Sequence, residues 1–447
     1  MKRFWQKFLV AAEEIGITEL EMMMQRSRNF SINVYESEIE KYLISEDGGY
    51  AFRGLYKGKM GYVYTELLDL DLIPDLVTAL RENAEVIDSK DMELMNSRPD
   101  APISVDYRKI ESIGEEEKIQ FAMELEKAAM TYDERIEKVS NSFYAEQESE
   151  YRMINSHGLD CGQKDRYFMA YSYLTAKDED DQQTAFAFQL ARTFAELDPQ
   201  KIAKEAAQEA ISHLHPKRIK SGNYAVVLEN RVVVDLLESF GSIFSADAVQ
   251  KGLSRMKDKL GQAVASPLLS FIDDPTGAYG FIHQPFDSEG IPTSSKAIVK
   301  DGTLLTYLHN LKTANKAGLA STGNAHKSSY KGSMGIAPSN FYMVPGQRDL
   351  NQLLGDMKAG ILITEVQGLH SGLNPVSGDF SLAASGFMIE DGVRTHAIHQ
   401  ITIAGNWYQL LHEIHEIAND LWFGIPSGGG HFGAPSLWLP SMSVAGE

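Results

Sequence analysis

The run YAFRGLYKGKMGYVY at positions 50–64 decides the architecture of the N-terminal part of the chain. Its two aromatic-rich arms flank a short junction around Gly58, a residue that can take the positive φ of a tight hairpin turn. In the preceding stretch Phe30, Ile32 and Val34 alternate with polar residues, which is the period of a half-buried strand. The sequence therefore predicts an antiparallel sheet in this region.

Helical spacing follows the predicted hairpin. After Pro74, one helical face is marked by the apolar residues Leu76, Val77, Leu80 and Ala84. Ser112 and Glu115 stand at capping-box spacing before a second helix, and the Asp198-Pro199 pair opens another that ends near position 216. We therefore expect an N-terminal α+β domain over 1–216, in which a polar stretch at 88–113 suggests a subdivision.

The chain changes character after position 216. A strand is predicted at 224–228, and the next segment has apolar residues at the spacing of a buried helix face, namely Val233, Leu236, Leu237, Phe240, Ile243 and Phe244. Beyond this segment glycine is frequent and long helices are rare. The overall prediction is an α+β protein with a mostly-β, barrel-like C-terminal domain over 217–447.

Charge and cysteine content exclude several classes of protein. The 447 residues include 42 Lys and Arg against 62 Asp and Glu, a net charge of −20, which disfavours binding to nucleic acid. Cys161 is the only cysteine, so it cannot form an intramolecular disulfide. No apolar run approaches the roughly 18 residues of a membrane span. We expect a cytoplasmic protein with neither nucleic acid nor membrane as partner.

The segment HEIHE at 412–416 offers the first candidate metal ligands. A zinc protease helix usually carries H-E-x-x-H, whereas His412 and His415 are three apart, and a further ligand would have to come from a distant residue such as His431. The flanking apolar residues form a helical stripe, namely Leu410, Leu411, Ile414, Ile417, Ala418 and Leu421. We favour a solvated or interface-facing helix edge here and keep the three histidines as weak candidates.

Acidic residues in predicted loops provide a second candidate chemistry. They surround Pro275 and Gly290, and they are Asp273, Asp274, Asp287 and Glu289. Paired carboxylates can act as general acid and base, but acids before Pro or Gly more often shape turns. We favour the structural role.

Several separate stretches of the C-terminal half carry a family resemblance. They are PFDSEGIPT at 285–293, STGNA at 321–325, NPVSGDFS at 374–381, ITIAGN at 401–406 and GAPS at 433–436. Together they resemble the TldD/PmbA family of metallopeptidase-related proteins, also described as modulators of DNA gyrase, and the PmbA (TldE) branch is the closer match. The resemblance extends from the Phe30 strand to the end of the chain.

The resemblance implies one subunit of a two-subunit cytoplasmic protease. In such a complex a TldD-type subunit carries zinc on an H-E-x-x-x-H helix, and a TldE-type subunit completes the chamber. Counting from the Val226-Val227 strand, the positions of this motif fall on Glu238, Ser239 and Ile243. Neither histidine nor the catalytic glutamate is present at these positions. The C-terminal cysteine that the resemblance implies for a TldD-like zinc site is also missing, since Cys161 is the only cysteine.

The leading hypothesis is a non-catalytic TldE-like subunit that pairs with a TldD-like zinc subunit and helps hold unfolded or leader peptides. No cofactor is expected in this chain, zinc is expected in the partner, and homodimer formation without the partner stays open. Two alternatives also stay open. One is a metallopeptidase in its own right, with metal on His412, His415 and a distant ligand. The other is a regulator that binds DNA gyrase.

Overall fold

The computed structural model describes residues 1–88, 93–97, 106–107 and 113–447. The predicted cap at Ser112 lies outside the described residues, as does most of the predicted subdivision at 88–113. No helix in the described ranges is long and apolar enough to cross a bilayer.

The N-terminal part is built on one large sheet of long strands. They are β1 (Ile17–Tyr35), β2 (Glu38–Tyr56), β3 (Lys59–Thr65), β4 (Asp106–Tyr107), β5 (Ile136–Asn155), β6 (Asp160–Asp178) and β7 (Asp181–Ala191). The order is β3-β2-β1-β5-β6, and both β4 and β7 pair with β6. The predicted hairpin is confirmed, since Tyr56 pairs with Lys59 and the turn residues Lys57 and Gly58 have φ of 48° and 77°.

Four helices of the described N-terminal part cover one face of this sheet, and they are α1 (Lys2–Glu14), α2 (Ile73–Glu85), α3 (Glu115–Met130) and α4 (Pro199–Ser212). The predicted apolar stripe of α2 is confirmed as buried, and α1 and α2 pack on Met22 and Phe52. At the other end α3 and α4 pack on Phe30 and Ile32. Because strand side chains alternate between faces, the odd-numbered residues of β1 from Glu21 to Ser31 point away from these helices.

One region of the opposite face of the sheet packs against the C-terminal part. Met23 and Ala51 form a small buried cluster with Tyr330, which belongs to a loop of the C-terminal half. Gly49 permits this contact, because a Cβ atom there would lie 2.3 Å from the Tyr330 ring. This part of the sheet is therefore enclosed between helices and the second half of the chain, whereas the first residues of β2 are exposed.

The C-terminal part is mostly β, as predicted. Its strands are β8 (Gly222–Leu228), β9 (Phe271–Asp273), β10 (Lys296–Lys300), β11 (Thr303–Leu304), β12 (Ala325–His326), β13 (Gly335–Ile336), β14 (Asn340–Met343), β15 (Gly360–Gln367), β16 (Asp379–Glu390), β17 (Val393–Asn406), β18 (Glu416–Ile417), β19 (Trp422–Phe423), β20 (His431–Ala434) and β21 (Leu437–Ala445). Its helices are α5 (Asn230–Phe240), α6 (Ala246–Gln250), α7 (Leu311–Ala317), α8 (Leu350–Met357) and α9 (Trp407–Glu413).

Five of these strands close into a barrel. The order is β17-β16-β15-β8-β21, and β21 pairs back onto β17 through Ile403 with Val444. A second sheet has the order β11-β10-β9-β14-β20-β19. Both contribute to one hydrophobic core, in which α5 is embedded. The α+β class and the barrel-like C-terminal half are thus confirmed, whereas the exact domain boundary at 216/217 stays a prediction.

The predicted helix through 410–421 is wrong in extent. Helix α9 ends at Glu413, and Ile414 already has extended backbone angles. The His415 N–H then donates to the Trp438 carbonyl at 2.9 Å, and Glu416 and Ile417 pair with β21. Pairing with a strand more than 20 residues away along the chain therefore overrides the local helical periodicity.

Candidate functional site

Helix α5 is held at its start by a polar anchor. The Asn230 N–H donates to Ser436 Oγ at 3.0 Å, and the Ser436 hydroxyl donates to Asp420 Oδ2 at 2.6 Å. The side-chain amide of Asn230 also donates to the Asp420 carbonyl at 2.9 Å. These bonds satisfy groups at the helix N-terminus that no intrahelical partner can reach.

The two faces of α5 have different environments. The predicted apolar stripe is confirmed as core, because Val233, Leu236, Leu237 and Phe240 are fully buried. The opposite face, which carries Arg231, Asp235 and Glu238, lines a cleft of about 520 Å³. This volume falls in the range of ligand pockets, so the cleft is the leading candidate site.

Aromatic side chains form one wall of the cleft. Tyr173, Phe186 and Phe188 come from β6 and β7, and Trp422 comes from β19 in the C-terminal part. The Phe188 and Trp422 rings meet edge to face with centroids 5.6 Å apart, and the Phe186 ring lies 5.7 Å from Phe188. Tyr173 and Phe186 remain more than a third exposed. The wall therefore offers an accessible apolar surface that spans both halves of the chain.

A free strand edge borders the same cleft. Within the described residues β7 pairs with β6 on one side and has no strand partner on the other. Five of its residues line the cleft, namely Gln183, Thr184, Ala185, Phe186 and Phe188. An unpaired edge exposes N–H and C=O groups that can bind another extended chain.

The cleft also has an acidic lining. Glu209, Asp235, Glu238 and Glu365 line it together with a single arginine, Arg231, whose guanidinium lies 5.5 Å from the Trp422 ring centroid. Burial raises the pKa of Asp235 to about 6, and the nearby acids Glu238 and Glu365 add to the rise.

Glu229, the residue before α5, has an even higher pKa. Burial raises it to about 7, and the charge of Glu209 contributes. A carboxyl group that is partly protonated near neutral pH can exchange protons, which makes Glu229 a candidate that sequence patterns did not reveal.

His213 is held rigidly at the cleft. Its Nδ1–H donates to the Glu209 carbonyl at 3.0 Å, and its Nε2 accepts the Thr364 hydroxyl at 3.2 Å. The Phe387 ring packs beside it with centroids 4.7 Å apart. Both ring nitrogens are therefore engaged in the structure.

The positions implied for a zinc motif do not form a zinc site. Glu238 is exposed in the cleft, but the Ser239 hydroxyl donates to the Asp235 carbonyl at 2.8 Å. Ile243 has no donor atom, and its side chain is 1% exposed in the hydrophobic core. Zinc requires several nitrogen, sulfur or carboxylate ligands, so these three positions do not fit the metal.

The weak histidine candidates lie in different elements. His412 is exposed in the last turn of α9, and exposed His415 packs against the Trp438 ring. His431 is buried in β20, where Nδ1 accepts the Phe281 N–H and Nε2 donates to the Gly424 carbonyl. Burial lowers the pKa of His431 to about 4. Across the described ranges no group of three or more His, Cys, Asp or Glu could hold a metal ion.

The acidic loop residues are buried, which their sequence context did not indicate. Asp273 lies in strand β9 and accepts hydrogen bonds from Ser339, Asn324 and Lys296 at 2.7–3.0 Å. Asp287 accepts the N–H groups of Glu289 and Ile291 with one oxygen and that of Ala325 with the other. The carboxylates of Asp273 and Asp287 therefore hold neighbouring loops in place, which is the structural role favoured from the sequence. Asp273 does so from a strand and not from a loop.

Glu289 belongs to an ion cluster between the two halves of the chain. The Arg53 guanidinium donates to both oxygens of Glu21 at 2.6 and 3.1 Å, and it lies 3.8 Å from Glu289. All three residues are at most 5% exposed. Burial raises the pKa of Glu289 to about 8, although Arg53 opposes this rise. The sequence signal for this cluster was a charged residue in each of two largely apolar runs, namely Glu21 in EMMM at 21–24 and Arg53 in AFRGLY at 51–56.

Three family models match successive parts of this chain. Residues 20–84 match PmbA/TldA metallopeptidase domain 1, residues 108–214 match the central domain, and residues 221–446 match the C-terminal domain. The last match alone covers half of the chain.

Individual proteins resemble this chain in sequence and in structure. Metalloprotease PmbA of Escherichia coli O157:H7 is 26% identical over 435 residues, which cover 96% of this chain and 92% of the relative. A Thermotoga maritima protein described as a modulator of a DNA gyrase is 32% identical, with a TM-score of 0.87 over 99% of this chain and 100% of its own. TldE from Thermococcus kodakarensis has the same fold at 20% identity, with a TM-score of 0.87 over 99% of this chain and 100% of its own.

Proposed function

This chain belongs to the PmbA/TldA metallopeptidase family, and we propose that it is the non-catalytic, TldE-like subunit of a two-subunit metallopeptidase. One observation carries the proposal. At the positions implied for the zinc motif, the chain has Glu238 and Ser239 on α5 and Ile243 in the helical turn that follows it, and Ile243 is buried in the core. Zinc and hydrolysis are assigned to a TldD-like partner.

The proposed contribution of this chain is to hold an extended peptide. Two features of the cleft support this role, namely the free edge of β7 and the aromatic wall that runs from Phe186 to Trp422. Backbone hydrogen bonds to a strand edge do not depend on side-chain sequence, whereas aromatic rings favour apolar side chains. An unfolded or leader peptide can bind in both ways, because its backbone groups are free to pair with the strand edge and its apolar side chains are free to pack on the rings.

The acidic lining adds a preference for charge. Glu238 and Glu365 line the cleft together with the aromatic rings, with Arg231 as the balancing cation. Basic residues of a peptide would be attracted by this lining, and acidic ones repelled. We therefore expect unfolded segments that combine apolar and basic residues to be the preferred substrates.

The experiment combines this chain with a TldD-like homologue and measures cleavage of an unfolded protein. We expect the two chains to co-elute and the mixture to cleave faster than either chain alone. A partner variant without its zinc ligands should abolish cleavage, whereas Glu238→Gln in this chain should retain it. If the chains elute separately and the rate equals that of the partner alone, the proposal fails.

A metal analysis of the isolated chain separates the proposal from a metallopeptidase in its own right. The proposal expects less than stoichiometric zinc after exposure to the metal, and no change when His412 and His415 are replaced by alanine. Stoichiometric zinc that those two replacements remove would favour the independent enzyme and contradict the proposal.

A further inference from the structure

A second cavity lies between the two halves of the chain, away from the α5 cleft. The loop between β12 and β13 crosses to the N-terminal sheet, where Tyr330 is 3% exposed against Gly49 and Ala51. Beside this contact is a cavity of about 340 Å³ lined by residues of β2, β3 and this loop, including Tyr62, Tyr64, Lys327, Tyr330 and Lys331. Its volume is sufficient for a small organic ligand.

The two lysines of this cavity differ in their partners. Lys331 is exposed and pairs with Glu66 at 3.1 Å. Lys327 is mostly buried, and within the described residues its ammonium has no carboxylate partner. The ammonium makes a long hydrogen bond of 3.5 Å to the Tyr330 carbonyl, and the Tyr62 ring centroid lies 5.8 Å away. A partly buried ammonium with so few partners is costly unless a ligand completes its environment.

The surroundings of Lys327 increase this cost. Burial and the positive charge of Arg53 lower the pKa of Lys327 to about 8, while Glu21 opposes the decrease. Glu93, the acid on the cavity wall, accepts the Tyr62 hydroxyl at 2.6 Å and lies 3.9 Å from Lys312. It is therefore engaged elsewhere, and the positive charge in the cavity is left for an external anion.

We propose that this cavity binds the carboxylate of a small or peptidic ligand, with the Lys327 ammonium as its charge partner. The Tyr62 and Tyr64 rings then pack against the apolar group next to the carboxylate. A monoanion matches a single unpaired cation, whereas a phosphate dianion would require more positive charge than this cavity provides. The site does not depend on the proposed subunit role, because binding requires this chain alone.

Two sources could supply the carboxylate, the C-terminus of a peptide or an acidic side chain. Three probes distinguish them by NMR titration of the full chain, namely N-acetyl-Gly-Tyr as the free acid, its amide, and N-acetyl-Glu-Tyr-amide. We expect the free acid to bind at least about tenfold more tightly than the amide, which is the scale of a charge-assisted hydrogen bond. Binding of the third probe would extend the site to acidic side chains, and its failure to bind would restrict the site to the terminus.

Substitutions assign the effect to one residue. Lys327→Met keeps the length and apolar character of the side chain and should abolish the preference for the acid. Lys327→Arg keeps the charge and should retain most of it. Lys300→Met, at an exposed position of β10, is the matched control and should bind like the wild type. Equal binding of acid and amide to the wild type, no binding of any probe, or an unchanged preference in Lys327→Met would each overturn the proposal. The first two results need no variant, so a folding defect in Lys327→Met leaves the test intact.

Discussion

Replacing Arg53 by methionine tests whether the buried ion pair between Arg53 and Glu21 stabilises the protein. Methionine fills similar space without charge, so the change leaves the Glu21 carboxylate buried at 3% exposure without its bidentate partner. Breaking a buried pair in this way costs about 3–5 kcal/mol, which is a large part of a typical unfolding free energy of about 5–15 kcal/mol. We therefore expect Arg53→Met to lower the free energy of unfolding at pH 7 by about 3–5 kcal/mol.

Urea unfolding monitored by tryptophan fluorescence measures this loss. Trp5 is the tryptophan of the N-terminal half, and the others are Trp407, Trp422 and Trp438, so replacing these three by phenylalanine in a reference protein isolates the N-terminal transition. Arg218→Met is the control, since Arg218 is 66% exposed, and it should change stability by less than about 0.5 kcal/mol.

A double variant distinguishes an orphaned charge from lost packing. Glu21→Gln combined with Arg53→Met removes the unpaired carboxylate, so it should regain a large part of the loss seen in Arg53→Met alone. Stability of Arg53→Met within about 1 kcal/mol of the wild type would refute the reasoning. No recovery in the double variant would show that packing, rather than charge, causes the loss.

Three further predictions concern other parts of the molecule. The folded pKa of Asp235 is raised to about 6, so its carboxyl contributes stability that is present below the unfolded pKa of about 3.9 and is lost as pH rises through 6. In urea unfolding, Asp235→Asn should therefore be as stable as the wild type at pH 4 and more stable by about 1–2 kcal/mol at pH 8. Equal stability of the two proteins at both pH values would contradict the raised pKa. In Gly61→Ala the new Cβ would lie 1.9 Å from the Leu80 carbonyl oxygen, so thermal unfolding should show a loss of about 3 kcal/mol, while Gly355→Ala, in α8 and with open space around it, should gain about 0.5–1 kcal/mol. Phe188→Ala with Trp422→Ala should raise KM for an unfolded substrate about tenfold in the two-chain assay without preventing co-elution, and an unchanged KM would remove the aromatic wall from peptide binding.

The elements that could be predicted from the sequence are those governed by short-range periodicity. The β2–β3 hairpin depends on a turn of two residues, Lys57 and Gly58, and on alternating side chains beside it. The core face of α5 depends on a stripe that recurs within one helix. Local patterns of this kind indicate the type of an element because the residues that form them are close together along the chain.

Features that depend on distant partners were not accessible in the same way. Helix α9 ends early because His415 pairs with Trp438, and no residue near Glu413 signals that ending. The contact of Arg53 with Glu21 joins two strands, and that with Glu289 joins two halves of the chain. The α5 cleft likewise combines β7 with β19, so its aromatic wall exists only after folding.

The most direct test of the subunit role is cleavage of an unfolded protein by this chain and a TldD-like homologue, separately and together. The account predicts that the two chains co-elute, that the mixture cleaves faster than either alone, and that mutating the partner's zinc ligands abolishes activity while Glu238→Gln here does not. Zinc-dependent cleavage by this chain alone, or a mixture no faster than the partner by itself, would contradict it.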